Sequence, residues 1–130
     1  MAWQRAATAK ALAELLREAQ PDDGAASVFS SPPETLNAPA LIVGHPSDVR
    51  YSSQGFAMDE ATLPVVCVGP LTGDDVVDEL IADVRAVVLA NPKLDGTVAS
   101  CVATGERNWR AIRVGGADFL AADVELTIQN

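Results

Sequence analysis

Apolar and polar residues alternate strictly near the C-terminal end of this sequence. Positions 120, 122, 124, 126 and 128 are apolar, whereas Asp123, Glu125, Thr127 and Gln129 are polar. A period of two places successive side chains on opposite faces of a strand. Residues 114–130 are therefore predicted to form a strand with one buried face and one polar face.

Two other stretches have helical spacing. Residues 2–19 are rich in alanine, and Leu12, Leu15 and Leu16 share one face. A second helix is predicted between Thr72 and Asn91, where an Asn-Pro pair ends it. Its apolar residues fall on one stripe: Val76, Val77, Leu80, Ile81, Val84, Val87 and Val88.

The start of the second helix has its own signals. Asp74 and Asp75 are placed in the first turn, where carboxylates complement the positive end of the helix dipole. Thr72 and Asp75 have nearly the spacing of a capping box. These features predict that Thr72 caps the helix.

Short apolar runs predict three further strands, at residues 26–30, 40–44 and 62–69. Pro64 cannot donate a ladder hydrogen bond, so the last of these strands is expected at a sheet edge or to contain a bulge. Residues 45–60 are the longest irregular stretch and are predicted to be a loop, of a length that is often functional.

The C-terminal third predicts an antiparallel meander of three strands. Residues 96–105 and 108–116 precede the closing strand, with tight connections at 105–108 and 115–118. The whole pattern predicts an α+β fold, a mostly antiparallel β-sheet with two α-helices packed on one face.

Composition and charge narrow the classes of protein. The chain has 130 residues, 48% of them hydrophobic, which predicts one globular domain over 1–130. No apolar run is long enough to cross a membrane, and the charges in residues 5–18 indicate a mature cytoplasmic segment rather than a secretory signal. The net charge of −9 argues against wrapping nucleic acid, which needs a basic face.

Candidate chemistry is sparse. The one histidine, His45, lies near Asp48 and several serines, but no nucleophile-elbow motif accompanies them, so a structural role is favoured over catalysis. Cys67 and Cys101 lack the close spacing of metal ligands and are predicted to be small buried apolar residues, with a disulfide between them left open.

One local cluster combines arginines with an aromatic residue. Arg107, Arg110 and Arg113 are spaced by three, so on a regular strand they alternate between faces and form no coherent stripe for nucleic acid. Trp109 between them fits either a protein interface, where Trp and Arg are favoured, or a position packed under the first helix.

Several motifs in order resemble the tail terminator proteins of long-tailed (siphovirus-type) actinobacterial phages. The closing phrase is carried by Val114, Gly115, Gly116, Phe119, Leu120 and Ala122. A proline-rich region is similar at Pro32, Pro33, Pro39, Gly44 and Pro46. Residues 61–80 resemble the family's strand followed by an acidic helix start, and residues 96–116 resemble its meander.

This resemblance implies a structural role in the virion, made in the host bacterial cytoplasm and located at the head-proximal end of the tail. Such proteins form a ring, typically hexameric, that caps the major tail tube protein and ends tail polymerisation. The ring then joins the head-completion or stopper connector, and DNA passes through the bore without specific binding. Neither catalysis nor a cofactor is implied.

The resemblance also suggests where the ring contacts lie. Residues of the 45–60 segment and the tryptophan-containing strand are candidates for a subunit or tube interface: Arg50, Tyr51, Phe56, Met58, Trp109 and Arg110. Asp123 and Glu125, or the acids of the second helix, are candidates for lining the channel. The alternatives are another head–tail connector, a small enzyme using His45 and Asp48, and an acidic mimic of nucleic acid.

Overall fold

A computed structural model describes residues 4–20, 26–52 and 58–130. Its elements follow the chain in this order: α1 (Arg5–Glu18), β1 (Ser27–Phe29), β2 (Ala40–Val43), β3 (Ser47–Arg50), β4 (Glu60–Pro70), α2 (Asp74–Ala90), β5 (Ser100–Val114) and β6 (Ala117–Gln129). Neither described helix has the length and apolar character that crossing a membrane requires.

The six strands form one sheet in the order β1-β2-β4-β6-β5, with β3 also paired to β4. All strand pairs are antiparallel except β1 with β2. β2 and β3 follow one another along the same side of β4, while β6 covers the other side. β4 and β6 are therefore central, and β5 forms one edge of the sheet.

Both helices pack on the same face of this sheet. Leu12 and Leu16 of α1 and Val77 and Val84 of α2 are fully buried in one cluster with Leu126 of β6 and the other inward residues of the strands. The predicted α+β fold, with two helices on one face of a mostly antiparallel sheet, is confirmed.

The opposite face carries a second, smaller core. Leu36 lies in the proline-rich connection between β1 and β2 and packs with Ala40, Val68, Phe119 and Ala121 of the strands. The same connection reaches the β5–β6 turn, since a Cβ on Gly115 would lie 3.1 Å from the carbonyl oxygen of Glu34. The proline-rich connection thus covers the apolar part of this face and leaves the polar part open.

The predicted meander of three strands is wrong in one respect. β5 runs without a turn from Ser100 to Val114, so the tight connection predicted at 105–108 does not exist. The pairing with β6 instead shifts twice, between Ala103 and Gly105 and between Arg107 and Arg110. Each shift inserts one extra residue, which is the mark of a β-bulge.

The second predicted connection is a true hairpin turn. Val114 pairs with Ala117, which leaves Gly115 and Gly116 as a two-residue loop with φ values of 60° and 82°. Type I′ turns require positive φ at both positions, which glycine adopts without steric cost. The two glycines therefore set the register of β5 against β6.

The other corrections concern short polar segments. The predicted loop at 45–60 contains β3, whose pairing with β4 is interrupted by a bulge that places Asp48 at a φ of 51°. Thr72 does not cap α2: the N-cap residue is Gly73, and no side-chain hydrogen bond is made there. The predicted end of α2 is confirmed, with the Asn91 side chain donating to the Val87 carbonyl at 2.9 Å.

Pro64 was predicted at a sheet edge or in a bulge, but it lies in a central strand at a position where the pairing of β4 with β6 has no bulge. β3 pairs with residues up to Thr62, and β2 pairs from Val65 onward, so Pro64 faces the junction between the two. Its carbonyl accepts the Gly44 N–H at 2.8 Å. The junction therefore provides a donor for the Pro64 carbonyl oxygen and requires no backbone N–H from Pro64, which proline lacks.

Gly44 is expected to be intolerant of a side chain at this junction. A Cβ there would lie 2.7 Å from Pro64 Cγ and 2.9 Å from the Pro64 carbonyl oxygen. Gly44→Ala should lower the free energy of unfolding by about 1–3 kcal/mol, because the strained contact cannot relax without moving β4. Gly105→Ala is the matched control: its Cβ meets nothing within 4 Å, so stability should stay constant or rise by up to about 1 kcal/mol. Equal losses in denaturant unfolding of both variants would contradict this account.

Candidate functional site

The open part of the second sheet face is a shallow polar depression, here called the polar face. It spans four neighbouring strands, encloses about 440 Å³ and is lined by Asp48, Val49, Arg50, Thr62, Arg107 and Glu125. The bulges of β3 and β5 flank it on both sides. Because bulges increase local twist, they curve the sheet around this depression.

The second bulge of β5 overturns the prediction that the arginines alternate between faces. Arg107 is opposite Asp123 and Arg110 is opposite Ala121, so the two residues between them on β5 face one residue of β6. Asn108 absorbs the extra residue at a φ of 67°, a conformation that asparagine tolerates better than most residues. Arg107 and Arg110 consequently point to the same face.

The arginines of β5 neutralise the acids beside them. Arg110 Nη1 lies 3.0 Å from Asp123 Oδ1, and Arg107 Nε lies 3.1 Å from Glu125 Oε2. Asp123 is almost fully buried and also accepts a hydrogen bond from Asn108 Nδ2 at 3.4 Å. The polar face therefore has little net charge where the sequence alone displayed a row of acids.

The remaining acids of the helical layer are unpaired. Five carboxylates of α2 are exposed and, within the described part of the chain, form no ion pair: Asp74, Asp75, Asp78, Glu79 and Asp83. Of the acids proposed to line a channel, these helix acids are the free anions, whereas Asp123 is covered by Arg110 and Glu125 is half-buried against Arg107.

His45 and Asp48 are both exposed, and no hydrogen bond joins them in the ranges that the structure describes. Asp48 instead lies within reach of the Thr62 hydroxyl, which donates to its Oδ2 at 3.5 Å. Across the described residues, no three His, Cys, Asp or Glu side chains are grouped so as to hold a metal ion.

The two cysteines are buried free thiols, in agreement with their prediction as small apolar core residues. Burial raises the pKa of the Cys101 thiol to about 12. Burial also raises the pKa of Cys67 to about 12, with a smaller contribution from the Asp123 carboxylate. Both thiols are therefore neutral and poorly nucleophilic at ordinary pH.

An apolar groove that was not predicted from the sequence lies between α2 and the edge strand β5. It encloses about 360 Å³, and Leu89 and Val102 on its rim are 83% and 55% exposed. Ala86, Pro92 and Ala103 contribute further apolar surface, and Arg85 stands on the wall. In the sequence, the one indication of this groove is Leu89, an apolar residue of α2 that lies outside the buried stripe of the helix.

A second exposed apolar surface lies where β3 leads towards β4. Tyr51 is 79% and Met58 is 55% exposed, and the Ser52 N–H donates to Asp59 Oδ1 at 2.8 Å beside them. Arg50 of β3 is also exposed. Phe56, named with them from the sequence, lies outside the described residues.

Trp109 is 42% exposed at the second bulge of β5. Helix α1 packs against β1, β2 and α2, on the side of the sheet away from β5. The interpretation that Trp109 packs under the first helix is therefore wrong. Its role in a protein interface stays a prediction.

The fold has counterparts among solved structures. The chain superposes over 93% of its length on 92% of a chain from the "Virion of native gene transfer agent (GTA) particle", with a TM-score of 0.58 and 17% sequence identity. No protein-family model and no curated protein sequence matches the chain. At this identity the likeness establishes a shared fold along nearly the whole of both chains.

The ion pair of Asp123 is expected to matter for stability because the carboxylate is buried. Arg110→Ala leaves that charge with only the long hydrogen bond from Asn108, so the free energy of unfolding should fall by about 1–3 kcal/mol. Arg113→Ala removes a similar pair at 3.1 Å to Asp118, but both partners are exposed, and the loss should stay below about 0.5 kcal/mol. Urea unfolding of the two variants distinguishes them, and equal effects would show that Asp123 does not depend on its arginine.

The thiols provide a second check of the core. With a pKa near 12, roughly one thiol in ten thousand is ionised at pH 8, so the folded protein should barely react with a disulfide reagent. The reaction should accelerate as the pH rises towards 12. In denaturant both cysteines should react quickly. Rapid labelling of the folded chain, or fewer than two reactive thiols after unfolding, would contradict the buried free thiols.

Proposed function

We propose that this chain is a structural protein of a phage-like virion, and specifically a tail terminator. The observation that carries the proposal is the match, over more than nine-tenths of both chains, to the fold of a chain from a gene transfer agent virion. The motif order that resembles phage tail terminators points to the same class independently. The two arguments use different information. The structural match compares backbone folds, and the resemblance compares sequence motifs.

The chemistry of the surface supports an assembly role over an enzymatic one. In the described residues His45 and Asp48 make no hydrogen bond to each other, and the two thiols are buried. The conspicuous exposed groups are apolar instead: Tyr51, Met58, Leu89, Val102 and Trp109. Exposed apolar residues in patches on a small protein are typical of protein interfaces.

In the proposed role, subunits form a closed ring, six in number by analogy with the family, on the end of the tail tube. The edge strand β5 and the segment around Tyr51 and Met58 contact neighbouring subunits or the tube, and Arg50, Trp109 and Arg110 extend these surfaces. The free acids of α2 keep the bore from binding DNA, because like charges repel phosphates. Asp123 and Glu125 lie on the opposite face of the sheet and are paired with arginines, so they add no free charge. The ring then meets the stopper of the capsid.

Tail length is the direct test of this proposal. In the virus-like element that encodes this chain, deleting the gene should give tails that are longer than normal and variable in length, because nothing stops tube polymerisation. Few tails should be joined to heads. Electron micrographs of negatively stained particles provide both measurements, and supplying the gene from a plasmid should restore a uniform length.

The same images separate the alternatives. A stopper or another connector predicts normal tails that remain unattached to heads. The enzyme hypothesis predicts that a His45→Ala, Asp48→Ala double variant fails to complement the deletion, whereas the terminator proposal predicts full complementation. Tails of normal length in the deletion strain would refute the terminator role.

A further inference from the structure

We infer that subunits of this protein dock head to tail, with Tyr51 and Met58 of one copy seated in the apolar groove between α2 and β5 of the next. This inference rests on the proposed ring and names its interface. The occupant of the groove is a second copy of this chain.

The two surfaces lie on opposite sides of the molecule. β3, which leads into Tyr51, is separated from β5 by β4 and β6, about 14 Å at the usual strand spacing. A ring in which each subunit meets its neighbour in the same way needs two different, mutually complementary surfaces. A single self-complementary patch would give an isologous dimer.

The two surfaces lie towards the same end of the sheet. Glu60, at the start of β4, and Ser100, at the start of β5, both pair with Gln129 of β6. Met58 precedes Glu60 by two residues, and Val102 of the groove follows Ser100 by two residues. Both surfaces are therefore presented towards the end of the sheet that carries Gln129, where a neighbouring copy can contact them.

The charges beside the two surfaces are complementary. Arg85 on the groove wall is exposed and has no ion pair or hydrogen bond to any described residue. Glu60, two residues from Met58, forms no ion pair within the described ranges, and Arg50 lies directly opposite it on β3. The groove thus offers an apolar floor beside the cation of Arg85, and the Met58 side offers an apolar group beside Glu60, neither of which forms an ion pair with the described residues of its own chain. Rim charges of this kind set orientation and partner choice.

Cross-linking between cysteines tests the docking directly. A Met58→Cys, Leu89→Cys double variant treated with a short bismaleimide should give a ladder of covalent dimers, trimers and larger species, because each chain links to both neighbours. A mixture of the two single variants should stop at dimers. The wild-type chain is the blank, since Cys67 and Cys101 are buried.

The matched control replaces Leu89 by another exposed leucine. Leu71 is 48% exposed in the turn between β4 and α2, at the other end of β4 from Met58. Met58→Cys with Leu71→Cys should give no ladder above the level of random collision. A ladder in this variant, or none with Leu89→Cys, would overturn the proposal.

Charge reversal tests the pairing of Arg85 with Glu60. Arg85→Glu in the chain carrying Leu89→Cys, or Glu60→Arg in the chain carrying Met58→Cys, should each lower the dimer yield roughly tenfold. Mixing the two reversed chains should restore the yield. Failure of the mixture to recover, with both variants folded by circular dichroism, would refute the pairing.

The outcome separates this inference from the proposed function. Oligomers larger than dimers in native mass spectrometry, without the Met58–Leu89 cross-link, would overturn the docking and leave a ring with another interface. Chains that stay monomeric at every concentration would also overturn the docking. Tail length in the deletion strain decides the terminator role independently of either result.

Discussion

The pairing of β4 with β6 is the constraint on which the rest of this structure depends. Eleven consecutive residue pairs join them, from Glu60 with Gln129 to Pro70 with Phe119. The inward side chains of both strands provide the floor for α1 and α2, and their outward side chains provide the floor for the proline-rich connection. β2 and β3 share the free side of β4, β5 pairs with β6, and β1 is added beyond β2. A closing strand without chemistry is thus the element that organises the sheet.

The bulges of β5 change which face of the sheet its side chains occupy. Without the extra residue near Asn108, Arg107 and Arg110 would lie on different faces, and Asp123 would be buried without its arginine. With it, two ion pairs neutralise the polar face and leave the free negative charge on α2. The location of charge on the molecule therefore follows from a one-residue insertion in β5. In the proposed ring, it determines which surface repels DNA.

Both helices and the closing strand could be predicted from the sequence because each has one buried face. The turn at 115–116 could be predicted because two consecutive glycines suit its positive φ values. The irregular ones could not. Residues 105–108 look like a turn in composition, yet the same Gly and Asn that favour turns also favour bulges, and only the partner strand decides between them. Pro64 predicted an edge or a bulge because the sequence does not show that β2 and β3 leave a gap opposite it. The groove was missed because its walls, α2 and β5, come together only in the folded chain.

The proposed docking between subunits depends on the two unpartnered apolar surfaces at opposite edges of one sheet. Electron cryomicroscopy of the protein assembled on the end of its tail tube is the most direct test of that claim. The account predicts one closed ring at the head-proximal end, with the residues around Met58 of each subunit against the α2/β5 groove of the next. A tube end bearing no copy of this chain, or copies that face one another through identical surfaces, would contradict it.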